Sequence, residues 1–149
     1  MVKNCTRVAA ARRDSDLVIV MPHWGTEEED CPNPRQKSFA AALVKAGVDV
    51  IVGAHAHVLQ GEGYLDRTFV AYGMGNFLWY SSGLTANAIH TGILRLTLHG
   101  RTVVRSELIP ATVSGTGQPV RLTGQDATDE LDRIADLRGC ADLLPAPSS

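Results

Sequence analysis

The apolar positions of this chain fall into short runs whose periods switch between those of strand and helix, an order that predicts an α/β domain. Residues 3–13 have a helix-compatible composition, with Val8 to Ala11 ahead of Arg12 and Arg13. Asp16 to Met21 is a continuous, β-branched run, the pattern of a strand covered on both faces, and Pro22 ends it. Asn33-Pro34 is a helix start, an N-cap side chain followed by proline at the first helical position. Phe39, Ala42, Leu43 and Ala46 then form one stripe, and Gly47 supplies the stop. Val48 to Val52 is a second buried strand. Strand, capped helix and strand within about forty residues make one βαβ unit with parallel strands.

Beyond that unit, Thr68 to Tyr72 reads as a short strand, followed by the loop Gly73 to Phe77. Ile93 to Leu98 alternates, and Arg101 to Ile109 follows after His99-Gly100, so the pair predicts an antiparallel hairpin. Residues 110–124, rich in Gly, Thr and Pro, read as loop with a short extended piece. Asp126 to Leu137 has the period of an amphipathic helix, with Leu131, Ile134, Ala135 and Leu137 apolar. The expected organisation is a single domain over residues 1–144 with a disordered tail over 145–149.

Composition narrows the function classes. The formal charge is −2, so nothing argues for a nucleic-acid partner. No apolar run is long enough to span a membrane, and the polar, Arg-bearing first residues do not form a signal peptide. Cys5, Cys31 and Cys140 are irregularly spaced and lack a Cys-x-x-Cys, which argues against a zinc ribbon. Cys31 and Cys140 can pair if the protein is exported; three free thiols is the alternative.

The chemistry lies in the histidines. His23 sits two residues past the end of the first strand run, and His55 and His57 sit three and five past the second. Ligand sites of open α/β sheets gather outside the carboxyl ends of the strands, so parallel neighbours would bring all three imidazoles to one rim. Neutral imidazole is the commonest protein metal ligand, and His23, His55 and His57 are therefore the expected metal ligands. His90 and His99 are not expected to join them. Among nearby acidic residues, Glu27 is the expected inward carboxylate of the otherwise solvated run Glu27 to Asp30, with Glu62 also near the rim. Asp16 and Asp49 precede their strands, at the opposite edge. Gln36 reads first as a surface helix residue, with capping or reach to the rim as alternatives. Asn76 is either a turn residue or a group that positions the site or contacts substrate.

Several of these segments together resemble the CapA-type poly-γ-glutamate capsule proteins, a branch of the calcineurin-like metallophosphoesterase fold. They are Asp16-Leu17-Val18-Ile19-Val20, His23-Trp24-Gly25-Thr26-Glu27, Gln36, Ala46 to Val58 with Gly53-Ala54-His55-Ala56-His57, and Tyr72-Gly73-Met74-Gly75-Asn76-Phe77. The resemblance spans about residues 8–99. It implies the C-terminal half of a four-layer α/β/β/α sandwich, with one βαβ unit followed by an antiparallel hairpin and a metal centre at the strand ends. It also implies that His23, His55 and His57 match the family's downstream metal-binding histidines, bound to divalent Mn, Fe or Zn, with His23 or His55 instead able to serve as proton donor to a leaving group. The family's upstream ligands, from an Asp segment, a Gly-Asp segment and an Asn-His segment, have no counterpart here. Met74 stands where Leu is usual, a volume-conserving exchange.

The implied function is a metal-dependent phosphoesterase-like role in capsule polymer biosynthesis, acting on a phosphoester or an anionic polymer at the cell envelope, outside the cytoplasm. The alternative is a non-catalytic accessory that binds the polymer during export or anchoring. A third expectation is an upstream half carried on a separate chain, which would meet the exposed edge of Leu17 to Met21. A Cys31–Cys140 bridge would suit the extracytoplasmic setting.

Overall fold

The computed structural model describes residues 2–79 and 83–148, with side chains from Thr6 onward, so the thiol of Cys5 lies outside the described residues, as does Ser149. Helix α1 (Val2–Asp14) leads into β1 (Ile19–Val20) and β2 (His23–Trp24). Helix α2 (Pro34–Lys45) then crosses to β3 (Val50–Val52) and β4 (Ala54–His55). Strands β5 (Glu62–Leu65) and β6 (Thr68–Ala71) form a hairpin. The remainder is β7 (His90–His99), β8 (Thr102–Val113), β9 (Pro119–Arg121) and α3 (Gly124–Cys140).

The strands make a mixed sheet in the order β1-β3-β6-β5, in which β1, β3 and β6 are parallel and β5 is antiparallel. A second sheet, β7-β8-β9, is antiparallel throughout. Helix α2 forms because Asn33 and Gln36 complete a reciprocal capping box around Pro34, and Gly47, at a φ of 93°, lets the chain leave it. Its buried face sets Ala40 and Leu43 against Ile51 and Val70 of the mixed sheet, together with Val8 of α1. Val50, Phe69 and Ala71 point to the other face and meet Val103 and the half-buried Leu94, Leu96 and Leu98 of the hairpin. Helix α3 packs beside β5 and β8, where Ile134 meets Leu59 and Leu108. The result is a mixed α/β fold, a partial calcineurin-like sandwich with a C-terminal antiparallel hairpin.

Several segments depart from their sequence expectations. The run Leu17 to Met21 is not covered on both faces: only Ile19–Val20 pair, at the edge of the sheet, leaving Ile19 52% and Met21 77% exposed. Strand β5 was hidden in the sequence by Gly61, Glu62 and Gly63, whose low β-propensity masks a hairpin turning at Asp66-Arg67. Residues 110–124 are not mostly loop, because β8 continues to Val113 and β9 pairs with it. Helix α3 is longer than expected and its buried residues are Glu130 and Ile134, while Leu131 is exposed. Burial of Glu130 is tolerated because Arg133 grips both of its oxygens and His90 Nδ1 lies 2.8 Å from one of them. Within the expected tail, the Ser148 N–H donates to the Asp66 carbonyl.

A disulfide joins Cys31 to Cys140, tying the acidic loop to the end of α3. At the far end of the mixed sheet, Asp49 is buried and accepts from Arg12, Arg101 and the Val18 N–H, so it fastens α1 and the hairpin to β3.

Candidate metal centre

The two histidine segments meet because β2 and β4 are parallel partners, with His23 opposite Ala54 and Trp24 opposite His55. Trp24 anchors the first segment. Its indole is buried, stacks on Tyr72 at 5.6 Å, meets Phe39 edge-on and donates to the Tyr72 carbonyl at 2.8 Å. That donation needs a glycine at position 53: a Cβ there would overlap both the Tyr72 carbonyl oxygen and the indole nitrogen. The second segment is bent by its own backbone. His55 has a φ of 100° and His57 a φ of 62°, values that favour glycine and cost a β-carbon-bearing residue about 1–3 kcal/mol each.

This bend brings His55 and His57 together with the exposed Glu27, and one ligand atom from each lies within 4.8 Å of the others. His23 is not in that set. Its ring lies beside His55, centroid to centroid 4.6 Å, and both line a cavity of about 630 Å³ that runs past Trp24 to the start of α2. The structure therefore gathers three imidazoles and one carboxylate at a single rim, with His23 at its outer side.

Asn76 determines how His57 presents itself. The Asn76 amide nitrogen donates to the carbonyls of both His57 and Ala88, at 3.1 Å each, which fixes the orientation of the amide. Its oxygen then faces His57 Nδ1 at 2.7 Å and can only accept, so Nδ1 carries a proton and the neutral ring offers its lone pair at Nε2. The edge of His57 also meets Trp79, 5.4 Å between centroids. A buried partner that sets the tautomer of an imidazole is a recurrent companion of metal ligation.

The acidic loop is held from behind. Gln36 is buried rather than on the surface: its oxygen accepts from the Asn33 N–H, and its amide nitrogen donates to Gln60 at 2.8 Å. Gln60, also buried, donates onward to the Glu29 carbonyl at 2.7 Å. The Glu28 N–H donates to the Ala56 carbonyl between the two histidines, and Asn87 holds Asp30. Glu27 thus projects from a loop fixed on both sides. Sequence reasoning missed Gln60, whose only signal was a polar side chain directly after Val58-Leu59.

The other residues considered from the sequence lie elsewhere. Glu62, on β5, is near Arg138, and burial pushes its carboxyl up despite that arginine. His90 belongs to the Glu130–Arg133 group, and His99 lies at the hairpin turn.

Comparison with known proteins agrees with the arrangement of motifs. The model of the family described as "Bacterial capsule synthesis protein PGA_cap" matches residues 2–81. The chain is 34% identical over 108 residues to the capsule biosynthesis protein CapA of Bacillus anthracis, a match covering 72% of this chain and 26% of that protein. It is 40% identical over 72 residues to the PGA biosynthesis protein CapA of Bacillus subtilis (strain 168), covering 48% of this chain and 19% of that protein. A probable polyglutamine synthesis accessory protein of Mycobacterium tuberculosis is 28% identical over 90 residues, 60% of this chain and 24% of its own length. The matches thus span about a quarter or less of the length of these relatives. The family match covers more than half of the chain and takes in the whole histidine rim: this chain belongs to the bacterial capsule synthesis protein family PGA_cap.

Proposed function

We propose that this chain serves the synthesis of an anionic capsule polymer through a divalent-metal centre, with Glu27, His55 and His57 as ligands and phosphoesterase-like hydrolysis as its chemistry. The observation that carries this reading is the convergence of three ligand atoms, two nitrogens and an oxygen, within 4.8 Å. Two imidazoles and a carboxylate suit Mn, Fe or Zn and leave room for further ligands. Bound there, such an ion would act as a Lewis acid on a phosphoryl or carbonyl oxygen. Asn76 holds His57 in the tautomer that offers Nε2, and Gln36 and Gln60 hold the loop that offers Glu27. His23, exposed beside His55 on the cavity wall, is placed to give a proton to a leaving group.

A second reading, an accessory that binds the polymer without cleaving it, is favoured by one feature. Among the described residues the cluster contains a single carboxylate, whereas a two-metal hydrolytic site uses bridging and terminal oxygen ligands. An extracytoplasmic, envelope-associated setting is supported by the Cys31–Cys140 bridge, since disulfides persist in oxidising compartments, and by the capsule-biosynthesis names of the relatives.

The test compares the wild type with His55→Ala/His57→Ala for metal content and for hydrolysis of a generic phosphodiester. Stoichiometric metal and turnover, both lost in the variant, support the hydrolytic reading. Metal without turnover supports the accessory, and no metal in the wild type refutes the metal-centred hydrolytic reading and leaves the polymer-binding accessory.

A further inference from the structure

The cavity beside His23 and His55 has a chemical bias that the metal cluster does not explain. Among the described residues no carboxylate lines it, although the acidic run Glu27 to Asp30 begins two residues after Gly25 on its wall. Among the described residues its one permanently charged lining residue is Arg35, in the first turn of α2. Six other arginines of the fold are engaged: Arg12 and Arg101 on Asp49, Arg95 and Arg105 on Glu107, Arg133 on Glu130, and Arg138 on the Glu62 carbonyl, while Arg7, Arg13, Arg67 and Arg121 do not line this cavity. The guanidinium of Arg35 has no hydrogen-bond or ion-pair partner among the described residues; only its backbone carbonyl is used, by Ser38.

Part of the wall is aromatic. Trp24 has its N–H committed to the Tyr72 carbonyl, so it offers the cavity carbon surface only, and Phe39 lies beside it. An unpaired guanidinium on the wall of a cavity that, among the described residues, has no carboxylate matches an oxyanion, a carboxylate or a phosphate.

We infer that this cavity is the subsite for an acidic group of the substrate, a carboxylate or a phosphate, with Arg35 as the residue that selects it. The inference rests on the proposed role of the His55 cluster as the reactive centre, since His55 belongs both to that cluster and to the cavity wall. An acidic group held by Arg35 would direct the adjoining bond of the substrate toward His23 and His55. The Glu27 carboxylate, in the same cluster as His55, would disfavour an acidic group placed there instead.

The experiment titrates the 149-residue chain, in chelator, with glutarate, inorganic phosphate and the neutral glutaramide, following backbone amide chemical shifts. Wild type should bind the anions, with shifts concentrated at Gly25 and residues 33–39, and should not bind glutaramide. Arg35→Met should weaken binding about tenfold or more, the size of a lost charge-assisted pair, and Arg35→Lys should fall between. A preference for glutarate assigns a carboxylate-bearing substrate, and a preference for phosphate assigns a phosphorylated one. Unchanged affinity in a folded Arg35→Met, equal binding of glutaramide, or no binding by wild type would each overturn the inference. A separate metal titration distinguishes the two readings. Arg35-dependent anion binding without metal uptake sinks the cluster and keeps the subsite; metal uptake with Arg35-independent anion binding does the reverse.

Discussion

His55 and His57 hold backbone conformations that a residue with a β-carbon occupies at a cost, and that cost can be measured. Replacing either by alanine or by glycine removes the imidazole equally, with every contact it makes, so the difference between the two variants isolates the backbone. At an ordinary strand or helix position glycine is less stable than alanine by roughly 0.5–1 kcal/mol, because it loses more freedom on folding. At a left-handed position the β-carbon of alanine costs roughly 1–2 kcal/mol. With φ at 100° and 62°, the second effect should win at both sites. His55→Gly and His57→Gly should therefore each be more stable than the matching alanine variant by about 0.5–1 kcal/mol. Urea unfolding in chelator reads this directly, and at this chain length the melting temperature should differ by about 2–4 °C per kcal/mol. His99, which has no positive φ, is the control, and there alanine should be the more stable. If glycine is the less stable at positions 55 and 57 as well, the histidine segment is not strained and the proposed link between its bend and ligand convergence fails.

Three further outcomes follow from the geometry. Asn76→Ala should lower divalent-metal affinity about 10- to 100-fold, read by calorimetric titration, because it releases the tautomer of His57. Glu62 has a carboxyl raised above its ordinary value of 4.5, mainly by burial. Its ionisation therefore opposes folding: the penalty is absent below that value and grows as pH rises through the folded-state pKa. Glu62→Gln should then be more stable than wild type at pH 7, with the gain vanishing near pH 4 in matched urea unfolding curves. The Cys31–Cys140 bridge spans a sequence separation of 109, so Cys140→Ser should cost the oxidised protein about 5 kcal/mol, a loss that reductant reproduces in wild type.

What the sequence disclosed followed from how each feature is encoded. The parallel β1-α2-β3 unit was legible because β-branched runs and an Asn-Pro cap are local signals. The hairpin was legible from its alternation, although its true extent, to His90 and Val113, was not. Positions whose burial depends on a distant partner were opaque. Gln36 reads as a surface polar residue until Gln60 is beside it, and Glu130 until Arg133 and His90 are. Ile19 and Met21 read as core because an apolar run carries no information about whether its strand lies inside a sheet or at its edge. Asn76 could be singled out but not assigned a role, because its three partners come from residues 12 and 19 positions away.

The metal centre is tested most directly by anomalous X-ray scattering from crystals of the chain equilibrated with Mn or Zn. One ordered peak is expected, coordinated by the Glu27 carboxylate and by the imidazoles of His55 and His57, at about 2.0–2.2 Å from each ligand atom for zinc. A peak held by other residues, or no peak among these three at saturating metal, would contradict that assignment.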